Sequence, residues 1–294
     1  MNATLSADAA LGVLRDLLEN AHSPPMVLTG AGCSTQAGIP AYRDRRGEWA
    51  HPQPIQFAQF RRSEASRRRY WARSFTGWPR FHAARPTPAH QALAWLAERG
   101  RVVPLVTQNV DRLHSRAGAE EVVDLHGRLD RVRCLDCGIE MHRATLQTHL
   151  EALNGTWSDS VVRDGATHRP DGDRDVSDEA VARFRYIDCE RCGGILKPDV
   201  VFFGENVPAE RLATARERLA NAGGLLVVGS SLMVLSGYRF VREALAARKP
   251  VLILTQGRTR ADDDGVVKLD HECGELLSAL VRELGGGSSA PAGR

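Results

Sequence analysis

Five short apolar runs with helical patterns between them constrain this 294-residue chain more than any other feature. They are "MVLTG" (26–30), "VVPLVTQ" (102–108), "VVDLHG" (122–127), "GLLVVGSS" (224–231) and "VLILTQG" (251–257). Each is rich in valine, leucine or isoleucine and ends in polar residues or glycine. Strands buried on both faces read this way, because helices cover both sides of a parallel sheet. Helical spacing falls at 55–75, 88–99, 208–221, 236–247 and 274–284. Near the N-terminus, Leu11, Leu14, Leu17 and Leu18 share one face of an amphipathic helix. The alternation predicts an α/β fold, a Rossmann-like parallel sheet with helices on both faces. Ligands of such sheets gather at the carboxyl ends of the strands.

Residues 130–200 break the alternation. Cys134 and Cys137 form one CxxC, Cys189 and Cys192 another, and each pair is followed by glycine. Two such knuckles aim four thiolates at one ion, which predicts a closed tetrahedral zinc site. A closed site leaves no position for substrate, so the zinc is structural. A zinc ribbon for nucleic acid would bring a basic, aromatic face, and this acid-leaning insert lacks one. The expected organisation is a discontinuous Rossmann-like domain (1–129 and 201–284), an inserted zinc module (130–200) and a flexible tail (285–294).

Bulk properties exclude several classes. A net charge of +3 gives no nucleic-acid signature. No apolar run reaches membrane-spanning length, and the first residues lack a basic start and a signal core. The expectation is a cytoplasmic protein, a monomer by default, whose cysteines serve as metal ligands or free thiols.

The polar strand ends carry the candidate chemistry. Gly30 and Gly32 follow the first run like a dinucleotide fingerprint, but Thr35 stands where its third glycine belongs. Gln108, Asn109 and Asp111 crowd the end of the second run. One of them would suffice to cap the next turn. His126 ends the third run. Its ordinary pKa lies near neutrality, which suits a general base, although a lone histidine is as often structural. Gly229, Ser230 and Ser231 end the fourth run, where small hydroxyls can bond phosphate or ribose. Cys33 reads as a packing residue.

In order along the chain, "GAGCSTQAGIPAYR", "TQNVDRLHSRAG", "LHG", the two CxxC pairs, "KPDVVFFGE" and "GSSLMV" resemble the sirtuins, NAD-dependent protein deacylases. The similarity spans about residues 10 to 284. "RRRYWARSFTGWP", "DRVRCLDCG", "SGYRF" and "CGEL" resemble the class II branch that includes mitochondrial sirtuin four.

The resemblance implies NAD as a consumed co-substrate lying between sheet and zinc module. It implies that Gly30, Ala31, Gly32 and Ser34 approach phosphates and that Arg43 reaches a phosphate or ribose. Gln108, Asn109 and Asp111 would line the nicotinamide pocket, with Ile39 as its apolar wall and Tyr42 in the glycine loop. Gly229, Ser230 and Ser231 would meet phosphate and the adenine-side ribose. Thr255, Gln256, Gly257 and Cys273 would border the adenosine. Acyl-lysine peptide would add as a strand between Val201, Phe202, Phe203 and Gly204 on one side and "LMVLSG" on the other. His126 would be the base and Asn109 its catalytic neighbour. The products would be free lysine, nicotinamide and O-acyl-ADP-ribose.

The chain departs from the family pattern at Ala41 (often aspartate), Tyr42 (often phenylalanine) and Thr255 (often asparagine). Tyr70 and Arg73, three apart in "YWAR", share a helix face. Some class II sirtuins use such a pair for acidic acyl chains. The alternative activities are mono-ADP-ribosyl transfer and removal of acidic or lipoyl-type groups. A non-catalytic NAD sensor would need no base at His126.

Overall fold

The structure is a computed structural model that describes residues 5–19, 22–155, 157 and 169–285. The tail beyond Gly285 and residues 158–168 of the insert lie outside the described residues.

The strands, in chain order, are β1 Met26–Thr29, β2 Val106–Thr107, β3 Val123–Asp124, β4 Gly127–Cys134, β5 Glu140–His142, β6 Leu196–Val200, β7 Leu225–Val228, β8 Val251–Leu254 and β9 Val267–Leu269. The first five helices are α1 Ala7–Glu19, α2 Phe57–Arg62, α3 Glu64–Ala83, α4 Pro88–Glu98 and α5 Leu113–Arg116. They are followed by α6 Arg143–Asn154, α7 Asp178–Arg183, α8 Ala209–Asn221, α9 Leu235–Ala246 and α10 Cys273–Glu283.

Six strands form one sheet in the order β3-β2-β1-β7-β8-β9, and every pairing in it is parallel. All four residues of β1, β7 and β8 are buried, as continuous apolar runs require. Alternate residues feed two cores. Val27, Leu226, Val228, Leu252 and Leu254 pack with α1, α4 and α10. Met26, Leu28, Leu225, Val227 and Ile253 pack with α8 and α9. Leu11, Leu14, Leu17 and Leu18 are buried in α1, as the spacing predicts. Each fully buried leucine contributes about 1.5–3 kcal/mol of transfer energy.

Strand order reverses at β1. The chain moves outward through β2 and β3, then returns to the other side of β1 as β7. That reversal opens a crevice at the carboxyl ends of β1 and β7. Gly30 and Gly32 sit there because nothing larger fits. A Cβ on Gly30 would lie 2.7 Å from Ser230 Cβ, and one on Gly32 would lie 2.8 Å from Gly229 Cα.

The second sheet is antiparallel, in the order β5-β4-β6. Its cluster includes Val132, Leu146, Leu150, Phe184 and Leu196, together with Phe60, Tyr70, Trp71 and Phe75 of α2 and α3. These two helices therefore pack on the cysteine-bearing module. Sequence spacing predicts a single helix over 55–75. The chain instead breaks at Ser63, whose hydroxyl accepts from Ser66 N and starts α3. Strand β9 was not legible: it has three residues, and Val267 is exposed.

Candidate active site and metal centre

One cavity of about 870 Å³ opens at the strand-order reversal and runs to the small module. Its lining joins segments far apart in sequence, which follows from the parallel topology: every strand of such a sheet delivers its carboxyl end to the same edge.

The loop after β1 is a 3-10 helix, Ala31–Ala37, ended by Gly38 at φ 79°. Thr35, in place of the third glycine, donates from its hydroxyl to Gly32 O at 3.1 Å. Ser34 is buried, and its Oγ donates to Asp111 Oδ2 at 2.7 Å and accepts from Asn109 Nδ2 at 3.1 Å. Asn109 Nδ2 also donates to Gly30 O at 3.0 Å. Asp111 caps as well, its Oδ1 accepting from Leu113 N at 2.8 Å. Gln108 Nε2 donates to Ser230 Oγ at 2.8 Å. The three polar residues after β2 thus tie the β1 and β7 loops together while lining the cavity.

His126 lies between β3 and β4, half-buried on the cavity wall. Its Nδ1 is 3.0 Å from the Gln108 carbonyl, and its Nε2 is 2.7 Å from Ser236 Oγ. A carbonyl only accepts, so Nδ1 carries the hydrogen and Nε2 keeps its lone pair. Burial pulls its pKa down to about 4, and Arg211 adds to the effect. The imidazole is neutral at pH 7 and able to take a proton.

Gly30, Ala31, Gly32, Ser34, Ile39, Tyr42, Arg43, Gly229, Ser230, Ser231, Thr255, Gln256 and Cys273 all line the cavity. Gly257 sits behind the rim, where a Cβ would meet Arg45 O at 2.6 Å. Arg43 stacks on Trp49, its guanidinium carbon 3.7 Å from the ring centre. Tyr42 and Trp49 both meet Phe203 edge-on.

At the other end, Tyr70, Val201, Phe202, Phe203 and Gly204 are in the lining, with Phe81, Leu129 and Asp171. Arg73 is not. Its guanidinium turns to Asp175 at 3.7 Å. Tyr70 stacks against Phe60 and Phe202. Burial raises its hydroxyl pKa, and the carboxyls of Asp173 and Asp171 raise it further. Tyr70 and Arg73 stand three positions apart on α3, but the loop 169–175 draws the arginine away.

Trp49, Asp171 and Ser236 were missed in the sequence. A lone tryptophan in the polar turn "RRGEWAHP" was the only available signal. The other two are placed by contacts across the fold.

The four cysteine sulfurs lie within 4.8 Å of one another. Cys134 and Cys192 are 3.6 Å apart, and Cys137 and Cys189 are 3.7 Å apart. Tetrahedral zinc with sulfur at about 2.3 Å requires sulfur pairs near 3.8 Å, so the set fits. Gly138 (φ 72°) and Gly193 (φ 70°) turn the two knuckles, their amides donating to Cys134 O and Cys189 O. All six cysteines are free of disulfides. No helix of the described residues is long and apolar enough to cross a membrane.

The crevice defines the class: a Rossmann-like protein whose cavity runs from the strand-order reversal of the parallel sheet to a small four-cysteine module. A model of the Sir2 family matches residues 30–236, and the chain belongs to that family, the sirtuins. An NAD-dependent protein deacetylase of Bordetella bronchiseptica is 53% identical over 255 residues, covering 87% of this chain and 92% of its own. The mitochondrial NAD-dependent protein lipoamidase sirtuin-4 of Bos taurus is 48% identical over 258 residues, covering 87% and 81%. A solved structure described as Sir2 with p53 peptide and NAD+ superposes with TM-score 0.74 at 27% identity, covering 94% of this chain and 99% of that one.

Proposed function

We propose that this chain is an NAD-dependent protein-lysine deacetylase with His126 as its general base. The observation that carries the reading is the state of His126. Gln108 O holds the hydrogen on Nδ1 at 3.0 Å, which leaves the Nε2 lone pair to Ser236 Oγ on the wall of a cavity that joins both halves of the fold.

NAD supplies a cationic nicotinamide leaving group and the ribose carbon that accepts the acyl oxygen. This chain's residues do the rest. The tied set of Ser34, Asn109 and Asp111 forms a rigid polar wall for the nicotinamide end, with Ile39 as the apolar side. Gly30, Gly32 and Gly229 let main chain approach the phosphates closely. Tyr42, Trp49 and Phe203 exclude water from the reacting carbon. His126 takes a proton from a ribose hydroxyl, which frees that oxygen to attack. Phe202 and Gly204 on one side and the 232–237 segment on the other offer edges for an extended acyl-lysine peptide.

The acyl end is lined by Tyr70 and Asp171, while Arg73 lies outside the lining with its guanidinium toward Asp175 at 3.7 Å. We therefore assign neutral acyl groups, acetyl above succinyl. The zinc held by the four cysteines is structural, and a cytoplasmic location fits this reading.

The test is NAD-dependent turnover over acetyl-, lipoyl- and succinyl-lysine peptides, with products identified by mass spectrometry. O-acyl-ADP-ribose is the expected product. ADP-ribosylated protein without it would replace this reading with transferase activity.

A further inference from the structure

The lone pair of His126 Nε2 is not open to the cavity. Ser236 Oγ lies 2.7 Å from it. Nδ1 already holds the ring hydrogen for Gln108 O, so the serine is the donor in this bond. Any hydroxyl that gives its proton to Nε2 must either displace Ser236 or pass the proton through it.

The architecture favours passage. Ser236 stands in the first turn of α9, half-buried on the cavity wall. The next residue, Gly237, packs directly on Gln108: a Cβ there would fall 2.4 Å from Gln108 Oε1. Gln108 is itself fixed, its Nε2 donating to Ser230 Oγ at 2.8 Å and Thr29 O at 3.3 Å. One residue thus sets both ends of the bond. The Gln108 main chain orients the imidazole, and its side chain seats the turn that carries the serine. A serine hydroxyl has one proton to give and two lone pairs to accept another. Having donated to Nε2, Ser236 still offers its lone pairs to the cavity.

We propose that Ser236 is a catalytic proton relay between the ribose hydroxyl and His126. The ribose O–H breaks as a new Oγ–H forms. The original Oγ–H breaks as Nε2–H forms. The electron pair stays on the ribose oxygen, the serine ends neutral and the imidazole ends protonated. This deepens the deacetylase reading above and rests on it.

The test has one arm without NAD and one with it. In the free protein, the nitrogen-15 NMR signal of His126 Nε2 moves downfield in Ser236→Ala, because a donor to the lone pair is lost. An unchanged signal overturns the proposal. With NAD and an acetyl-lysine peptide, Ser236→Ala keeps nicotinamide exchange within about twofold of wild type. That exchange precedes the base step. Formation of deacetylated peptide falls at least about tenfold. Ser236→Thr, which keeps the hydroxyl, restores most of it. Rates in mixed light and heavy water bow as two protons in flight require for wild type, and run linear for Ser236→Ala.

Product formation that is unchanged or faster in Ser236→Ala overturns the relay, since the hydroxyl then merely occupies the lone pair. Loss of exchange together with product also overturns it, by placing Ser236 in NAD or peptide binding. A wild type without NAD-dependent turnover removes the deacetylase reading and the relay together. A working wild type with an indifferent Ser236→Ala removes the relay alone.

Discussion

Ser34 and Asp111, 77 residues apart in sequence, meet in a 2.7 Å hydrogen bond between the β1 loop and the turn after β2. Asp111 is thereby committed on both oxygens, one to Ser34 and one to the start of α5. In the proposed reading the wall of the nicotinamide pocket is held before any ligand arrives. Ser34→Ala leaves Asp111 Oδ2 and Asn109 Nδ2 each short of a partner. We expect kcat/KM for NAD to fall about 10–100-fold, equivalent to about 1.4–2.7 kcal/mol, with little change in thermal stability. Steady-state kinetics against a melting curve checks this, and an equal loss in both would make the bond structural.

We expect His126→Ala to abolish NAD-dependent deacetylation and to leave the fold intact, as product formation and a melting curve would show. The histidine pKa is lowered to about 4, so the base is neutral through pH 5–8. The acid limb attributable to it therefore appears only below about pH 5. A kcat/KM profile that falls through pH 6.5 in parallel with a free imidazole would contradict the assignment.

His90 is fully buried and its pKa is lowered to about 4 by burial. It is neutral in the fold and protonates on unfolding. Between about pH 4 and 6.5 the unfolded chain binds the extra proton, so this contribution is complete above 6.5 and is lost as pH falls. The ceiling is on the order of 3 kcal/mol. Asp124, raised to about 6 by burial against the pull of Arg112, acts in the opposite direction. The difference between wild type and His90→Gln reports His90 together with its effect on the adjacent His114: urea stability of the variant should depend less steeply on acid. Parallel curves would show that His90 does not titrate in this range.

One zinc per chain is expected by elemental analysis. Cys192 is the exposed member of the set and the point of attack for a chelator. Removal of the metal, or Cys137→Ser, should loosen the module and with it α2 and α3, which share its core. Limited proteolysis would show new cuts between residues 130 and 200. A chelated protein with the native cleavage pattern and melting point would refute a structural metal.

Arg73→Met should leave the succinyl-to-acetyl rate ratio unchanged, because Asp175 already holds the guanidinium away from the cavity. Gly77→Ala should do more. Its Cβ would lie 2.0 Å from Gly172 O in the loop that carries Asp171. Overpacking of this kind costs about 1–3 kcal/mol, and we expect altered acyl preference alongside a lower melting point. A changed ratio in Arg73→Met with an unchanged one in Gly77→Ala would invert this assignment.

The sequence by itself determined the local and repeating features. Continuous apolar runs could only be strands covered on both faces, and five of the six strands of the main sheet fall within them. The paired CxxC knuckles carried their own geometry, because each places two thiols across a tight turn. His126 and the Gln108–Asp111 cluster were legible because a parallel sheet sends its strand ends to one edge. Tertiary structure decided what each side chain faces. Arg73 and Tyr70 share a helix, yet Asp175, a hundred residues later, claims only the arginine. Gly30 and Gly32 look like phosphate glycines, but their smallness is also demanded by Gly229 and Ser230 on the neighbouring strand end. Ser236 reaches His126 across 110 residues because Gly237 lets α9 settle on Gln108. Periodicity records which face of an element is buried. The partner that meets a given atom there depends on how elements distant in sequence pack, and only the folded chain specifies that.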